Sequence, residues 1–182
     1  MRPGPIYSGG PAGIPLMPAE LAADRASRSD PALIAVWEML EQVKDPEIPA
    51  LSVRELGVLR ALHRGADGWR VVITPTYSGC PAMQAIADEI RAVLEGAGCS
   101  PLRIETRLSP AWSTDWIDAE ARERLREYGI APPMDPEAGG SIACPRCGSE
   151  HVYRISEFGS TACKALYRCG DCAEPFDYFK RL

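Results

Sequence analysis

The sequence predicts a protein of the α/β (α+β) class, in which a small domain with a sheet of three or more strands and flanking helices precedes a small C-terminal β module. Between residues 30 and 130, segments with apolar residues at helical spacing alternate with short apolar runs bounded by Gly and Pro. Beyond residue 141, two Cys-x-x-Cys pairs lie in a segment that is too short to build a large core. We therefore expect two folding units of unequal size.

Length and charge exclude several classes of protein. The chain has 182 residues, 46% of them apolar, and a net charge of −5, which gives no general attraction to nucleic acid. No apolar run approaches the roughly 18 residues that a membrane-spanning helix needs. The N-terminus lacks the apolar core of a signal peptide. We expect a cytoplasmic protein that binds neither nucleic acid nor membrane.

The N-terminal third begins with a predicted flexible tail, residues 1–29, which is rich in Pro, Gly and Ala. Asp30 and Pro31 resemble an N-cap followed by proline at the first helical position, and apolar residues then recur at helical spacing as far as Val43. The segment Asp45-Pro46-Glu47-Ile48-Pro49 cannot continue a helix, because its prolines remove backbone donors. We predict a first helix followed by a fixed turn.

Strands and helices alternate through the rest of the first domain, which we predict to span residues 30–130. Their expected bounds are a hairpin of residues 58–63 and 69–74, a helix of residues 81–97, a strand of residues 102–108, and a helix that Ser113 or Thr114 caps and that ends at residue 128. Residues 131–141 are rich in Pro and Gly and predict a linker. Residues 142–182 form the second module.

One cysteine lies where the hairpin meets the next helix. Cys80 is at a turn through Gly and Pro, and a thiol at a helix N-terminus faces unpaired N–H groups and the positive end of the helix dipole, which favour the thiolate. Met83 occupies the position of the second cysteine in a redox Cys-x-x-Cys motif, so no disulfide forms within it. We predict a reactive thiolate suited to a soft metal, a cluster or a covalent intermediate. The alternative is a structural cysteine beneath the turn.

The two Cys-x-x-Cys pairs are the strongest signal in the chain. Their four cysteines are Cys144, Cys147, Cys169 and Cys172. Two residues between paired cysteines let both sulfurs reach one ion, and Gly148 can take the positive φ that this turn needs. The pattern predicts a structural zinc ribbon, with iron or a cluster on the same thiolates as the alternative. Between the pairs, Cys163 precedes Lys164, and its role as a partly buried loop thiol or as a contact site for a partner or a metal stays open.

Several motifs together resemble a known family. The segments Asp45-Pro46-Glu47-Ile48-Pro49, Glu55-Leu56-Gly57, residues 74–83 and Pro110-Ala111-Trp112 are similar to those of the small iron-sulfur cluster assembly domain of bacterial and cytosolic maturation factors. That domain followed by a cysteine-rich module containing residues 158–165 resembles the phenylacetate-degradation protein D family, whose members are subunits of the phenylacetyl-CoA epoxidase system in phenylacetate catabolism.

This resemblance implies a function and site residues. The reactive cysteine of the family corresponds to Cys80 and its acidic turn residue to Asp45. Cys80 would hold iron or an iron-sulfur cluster transiently, with Asp45 as a nearby support. The implied partners are the oxygenase or reductase components of the epoxidase, and no catalytic activity of its own is expected. The alternatives are a structural subunit without assembly activity and a thiol enzyme acting on a CoA ester. The client protein and homodimer formation stay open.

Overall fold

The computed structural model describes residues 26–134 and 139–182. The predicted tail therefore lies outside the described residues up to residue 25, as does the middle of the predicted linker. Within the described ranges, the regular elements are α1 (Ile34–Met39), a 3-10 helix (Leu40–Gln42), β1 (Lys44–Asp45), β2 (Ile48–Ser52), β3 (Leu59–Gly65), β4 (Gly68–Ile73), α2 (Met83–Gly96), β5 (Leu102–Thr106), a 3-10 helix (Thr114–Trp116), α3 (Ala119–Glu127), β6 (Ile130–Ala131), β7 (Val152–Ser156), β8 (Lys164–Cys169) and β9 (Pro175–Phe179).

The first unit is built around a three-stranded sheet of order β3-β4-β5. Strands β3 and β4 form the predicted antiparallel hairpin, and α2 then crosses over so that β5 pairs with β4 in parallel. Helix α2 buries Ile86, Ile90 and Leu94, which recur every fourth residue and form one apolar face. The predicted α/β class is confirmed.

Two helices begin later than the sequence predicted. Asp30 accepts a hydrogen bond from the N–H of Ala32 over 2.9 Å and forms a turn, so that α1 starts only at Ile34 and ends in a 3-10 turn before Val43. Ser113 caps only the short 3-10 helix, whereas the carboxylate of Asp118 accepts from Ala121 N over 2.7 Å and caps α3. A side-chain acceptor nearer the helix thus sets the start of α3, whereas the N-cap residue of α1, Leu33, makes no side-chain capping bond.

The second unit is a four-stranded sheet of order β6-β9-β8-β7. Strands β7, β8 and β9 are antiparallel neighbours and lie where the ribbon strands were expected. Strand β6 was not predicted; it pairs with β9 in parallel, Ile130 opposite Asp177 and Ala131 opposite Tyr178. The two units thus share a sheet across the predicted 131–141 linker, and a division into domains at that point stays a prediction.

The ribbon also contributes to the core of the first unit. Its residues Cys163 and Phe179 belong to the same buried cluster as the residues of α1, α2 and the first sheet. The Phe179 ring lies 5.9 Å from that of Trp112, centroid to centroid. A separate small cluster of Ala131, Cys144, Cys169 and Phe176 forms the ribbon's own interior.

The chain before α1 is anchored on the first sheet. Ser27, which the sequence assigned to the flexible tail, is buried; its carbonyl accepts from Trp37 Nε1 over 2.9 Å and its hydroxyl from the N–H of Leu62 over 3.3 Å. The tail prediction fails at residues 26–29, because polar backbone and hydroxyl groups hold them there. No helix in the described ranges is long and apolar enough to cross a membrane.

Candidate functional site

The cysteines of the two Cys-x-x-Cys pairs converge on one point, with all four sulfurs within 4.8 Å of one another. The Cys144 and Cys172 sulfurs lie 3.7 Å apart, and those of Cys147 and Cys169 lie 3.6 Å apart. Sulfurs placed about 2.3 Å from a tetrahedral zinc ion lie about 3.8 Å from each other. The cluster therefore fits a bound metal ion such as zinc.

Backbone geometry prepares these sulfurs for a cation. Gly148 has the predicted positive φ, 75°, and Ala173 adopts the same conformation, φ 62°, after the second pair. The N–H of Cys172 donates to the sulfur of Cys169 over 3.4 Å, and together with the N–H of Asp171 and the neighbouring thiols it lowers the pKa of Cys169 to about 6. The sequence did not indicate Ala173, since alanine is uncommon at positive φ.

His151 lies beside the ribbon site without joining it. Its Nδ1 is 2.9 Å from Oδ1 of Asp171, whose other oxygen accepts from the Ser149 hydroxyl over 2.6 Å. These contacts tie the first cysteine pair to the residue between Cys169 and Cys172. His151 therefore supports the two Cys-x-x-Cys turns. The ligand set consists of the four thiols.

Cys80 lies between β4 and α2 and is half-buried. Its N–H donates to the carbonyl of Tyr77 over 3.1 Å and closes the turn. Burial raises the pKa of Cys80 above its usual value, the N–H of Ala82 acts in the opposite direction, and Asp45 adds to the rise. The helix start does contribute, but the predicted net preference for the thiolate is wrong, because burial outweighs it.

Asp45 ends β1 and faces the same turn. Its Oδ1 accepts from the N–H groups of Glu47 and Ile48 over 2.8 and 2.9 Å, which fixes the Asp-Pro-Glu turn. Only 6% of the residue is exposed, and burial raises its pKa. Its charge adds to the rise in the pKa of Cys80 that burial causes, and a shared role of the two residues stays a prediction.

The ribbon adds two residues that sequence analysis left unassigned. Cys163 is 5% exposed; burial raises its pKa, and Glu47 and Asp45 act in the same direction. Lys164 is 3% exposed, and its Nζ donates to the carbonyl of Glu47 over 3.4 Å. The only signal in the sequence was a cysteine beside a lysine in the ribbon loop. Lys164 thus contacts the Asp-Pro-Glu turn, whose carboxyl groups add to the rise in the pKa of both Cys80 and Cys163.

The remaining family-like motifs have structural roles. Trp112 Nε1 donates to the carbonyl of Leu56 over 3.0 Å. Gly57 has φ 75°, and a Cβ there would lie 2.9 Å from Cβ of Trp116. Glu55 accepts from the N–H of Ser52 over 2.7 Å. These contacts join the segment after β2 to the loop before α3.

The structure defines a two-part α/β protein whose C-terminal ribbon carries a four-cysteine metal site. The family model described as "Iron-sulfur cluster assembly protein" matches residues 34–98, and that of the "PaaD zinc beta ribbon domain" matches residues 132–180. An Escherichia coli (strain K12) protein, described as the subunit designated D of a "Putative 1,2-phenylacetyl-CoA epoxidase", is 48% identical over 163 residues, 85% of this chain and 96% of the relative. The chain belongs to the PaaD family of phenylacetyl-CoA epoxidase subunits, as its resemblance predicted.

Two solved structures are also similar in part. A "Domain of Unknown Function DUF59" from Bacillus anthracis is 20% identical and covers 57% of this chain and 92% of its own, with a TM-score of 0.47. A Mycobacterium tuberculosis protein associated with Fe-S complex assembly and repair is 31% identical and covers 69% and 98%, with a TM-score of 0.32.

Proposed function

We propose that this chain is an accessory maturation subunit of a phenylacetyl-CoA epoxidase, in which Cys80, supported by Asp45, holds iron or an iron-sulfur cluster in transit. The clients are the oxygenase or reductase components of the epoxidase. The observation that carries the proposal is a half-buried thiol beside a buried carboxylate, separate from a four-thiol site that already has a complete ligand set.

The two sites suit different tasks. Four cysteine ligands close the ribbon site, which is typical of a structural zinc ion. Cys80 has neither that number of ligands nor a thiolate formed in advance. Metal must displace a proton that this thiol holds more tightly than usual, because burial and Asp45 raise its pKa. The resulting lower affinity of Cys80 for the metal favours release of the metal to a client protein.

A thiol enzyme acting on a CoA ester is disfavoured for the same reason. A nucleophilic cysteine needs a lowered pKa or an adjacent base. The groups that act on Cys80 are instead carboxylates and a second thiol, and they raise its pKa. The absence of an activating group among the causes of this shift supports a metal-binding role for Cys80 over a nucleophilic one.

The test is client loading in cells that produce the epoxidase components together with this chain. With Cys80→Ser we expect the iron and acid-labile sulfide of the purified clients to fall, while the ribbon retains its metal. Cys99→Ser removes a buried thiol near the end of α2, which takes no part in the site, and serves as the matched control. Full loading of the clients by Cys80→Ser would exclude the proposal.

A structural subunit without assembly activity is the second candidate, and one observation favours it. Strand β7 lies at the edge of the ribbon sheet and exposes 55% of both Tyr153 and Ile155, as a protein-binding surface would. This candidate predicts stoichiometric co-purification with the oxygenase and the same client loading with Cys80→Ser as with wild type.

A further inference from the structure

The two Cys-x-x-Cys turns of the ribbon lie at the end of its sheet. The ladder between β7 and β8 ends where Val152 pairs with Cys169, and the other three cysteines of the site lie beyond that point. Two residues between paired cysteines hold the sulfurs of each pair together, but the pairs come from segments far apart in the chain. Release of a bound ion requires thiolates to move away from it. Contacts between the two turns therefore affect how easily the site opens.

Asp171 connects the two turns through both of its carboxylate oxygens. It directly precedes Cys172, and its Oδ2 accepts from the Ser149 hydroxyl over 2.6 Å. Its Oδ1 lies 2.9 Å from Nδ1 of His151. Ser149 belongs to the first turn, because its carbonyl accepts from the N–H of Cys144 over 2.8 Å. One side chain of the second turn thus holds two residues that follow the first pair.

The hydrogen bonds around Asp171 have a consistent direction. An ionised carboxylate can only accept, so Nδ1 of His151 donates to Asp171. Nε2 of the neutral imidazole then accepts, and the Tyr153 hydroxyl donates to it. The Ser149 hydroxyl donates to Asp171 and accepts from the N–H of His151 over 3.0 Å. Each side chain of this network therefore has defined partners.

The backbone supports the network beside the His151 ring. The N–H of Gly170 donates to the carbonyl of His151 over 2.7 Å. A Cβ on Gly170 would lie 2.5 Å from Nδ1 of His151, which is closer than any side chain allows. Gly170 is not among the glycines with positive φ, so its backbone conformation does not require glycine. The close approach of the His151 ring does.

A second contact between the turns is simpler. Nη1 of Arg146, in the first turn, lies 3.2 Å from Oε1 of Glu174, which follows the second pair. A single exposed ion pair contributes little. Both contacts are open to solvent, so the number of hydrogen bonds, and not burial, distinguishes them. Asp171 accepts from two side chains at once, whereas Glu174 pairs through one oxygen.

We infer that Ser149, His151 and Asp171 hold the ribbon site closed, with Asp171 as the positioning residue that limits how fast a bound ion leaves. None of the three is a ligand, since the four thiols form the ligand set. Groups that orient the ligands without binding the metal typically change metal affinity about 10- to 100-fold. The inference concerns the ribbon alone and does not depend on the proposed role of Cys80.

The experiment measures the rate of zinc transfer from the zinc-loaded full chain to an excess of a colorimetric chelator. Asp171→Asn keeps the shape of the side chain but replaces one acceptor oxygen by a donor group, so zinc release should be about tenfold faster than in wild type. Glu174→Gln is the matched control and should stay within about twofold of wild type. Equal release rates in the two variants would overturn the inference.

A double variant tests whether His151 acts through Asp171. His151→Ala alone should speed zinc release, and combining it with Asp171→Asn should add little, because both substitutions remove the same contact. Effects that multiply in the double variant would overturn the role of Asp171.

Cobalt substitution tests whether the ligand set stays complete. Each variant should keep the sulfur-to-cobalt absorption of wild type, because no thiolate is removed. Loss of that absorption in Asp171→Asn would show that the ligands themselves had changed and would overturn a positioning role.

A further variant leaves all three side chains of the network in place. Gly170→Ala introduces a Cβ where the His151 ring lies, so it should displace the ring and speed zinc release about tenfold. Gly65→Ala, at the end of β3, has open space for a Cβ and serves as its control. A wild-type release rate in Gly170→Ala would overturn the inference.

Discussion

The ribbon cluster and the turn at Cys80 both present cysteine thiols, yet they differ in completeness. In the ribbon, four sulfurs lie within 4.8 Å of one another. At Cys80 a single thiol is half-buried, and burial raises its pKa. A complete set of four thiols suits a retained structural ion, whereas a metal at Cys80 would first have to displace a tightly held proton. Under the proposed function, ligand number and proton affinity, more than the residue type, distinguish the two sites.

The largest expected effect concerns the four-cysteine site of the ribbon. Cys169→Ser removes one ligand from the closed site, and structural zinc contributes on the order of 10 kcal/mol to the folding of small modules. We expect loss of the ribbon metal and a fall of roughly 5 kcal/mol or more in the free energy of unfolding. Metal analysis and urea denaturation measure the two effects. Cys99→Ser should keep its metal, and a Cys169→Ser protein that also kept it would contradict the prediction.

An intermediate effect tests whether the ribbon and the first unit fold together. Phe179 comes from β9 but is fully buried in the core of the first unit. Phe179→Ala should lower the free energy of unfolding by about 3 to 5 kcal/mol, because it leaves a cavity between the units. Urea denaturation followed by tryptophan fluorescence measures it.

The matched control for that substitution is Phe158→Ala, in the ribbon loop. Phe158 is 63% exposed, so its removal should change the free energy of unfolding by no more than about 0.5 kcal/mol. Equal effects of the two substitutions would show that the shared core does not stabilise the protein.

The smallest expected effect concerns the pKa of Cys80. Since burial and Asp45 raise the pKa of Cys80 above the usual 9.0, its alkylation rate should reach half-maximum above pH 9.0. Asp45→Asn removes a negative charge and should move that midpoint to lower pH. The rate of iodoacetamide modification of Cys80, followed by mass spectrometry against pH, measures it.

The control for this charge effect is Glu89→Gln, which removes an exposed carboxylate of α2 that does not act on Cys80. Its midpoint should equal that of wild type. A midpoint that Asp45→Asn leaves unchanged would contradict the electrostatic link between Asp45 and Cys80.

The sequence was sufficient to predict the features that depend on residues close together in the chain. Each Cys-x-x-Cys pair fixes half of the ribbon site locally, and the hairpin of β3 and β4 is defined by its own turn. The contact of Lys164 with the carbonyl of Glu47 joins residues far apart in the chain, which no local pattern specifies. The two residues of β6 are too few to show periodicity. The pKa of Cys80 was mispredicted because burial, which depends on the whole fold, outweighs the helix start.

The anchored residues before α1 also cover part of a sheet edge. Strand β3 is an outer strand of its sheet, and such an edge can template strand addition by another chain. Arg28 donates to the carbonyls of Leu59 and Arg60 over 2.8 and 3.3 Å, and the Ser27 hydroxyl accepts from the N–H of Leu62. These residues therefore occupy part of the hydrogen-bonding edge of β3. A shortened chain beginning at residue 30 would uncover it and would be prone to aggregate through β3.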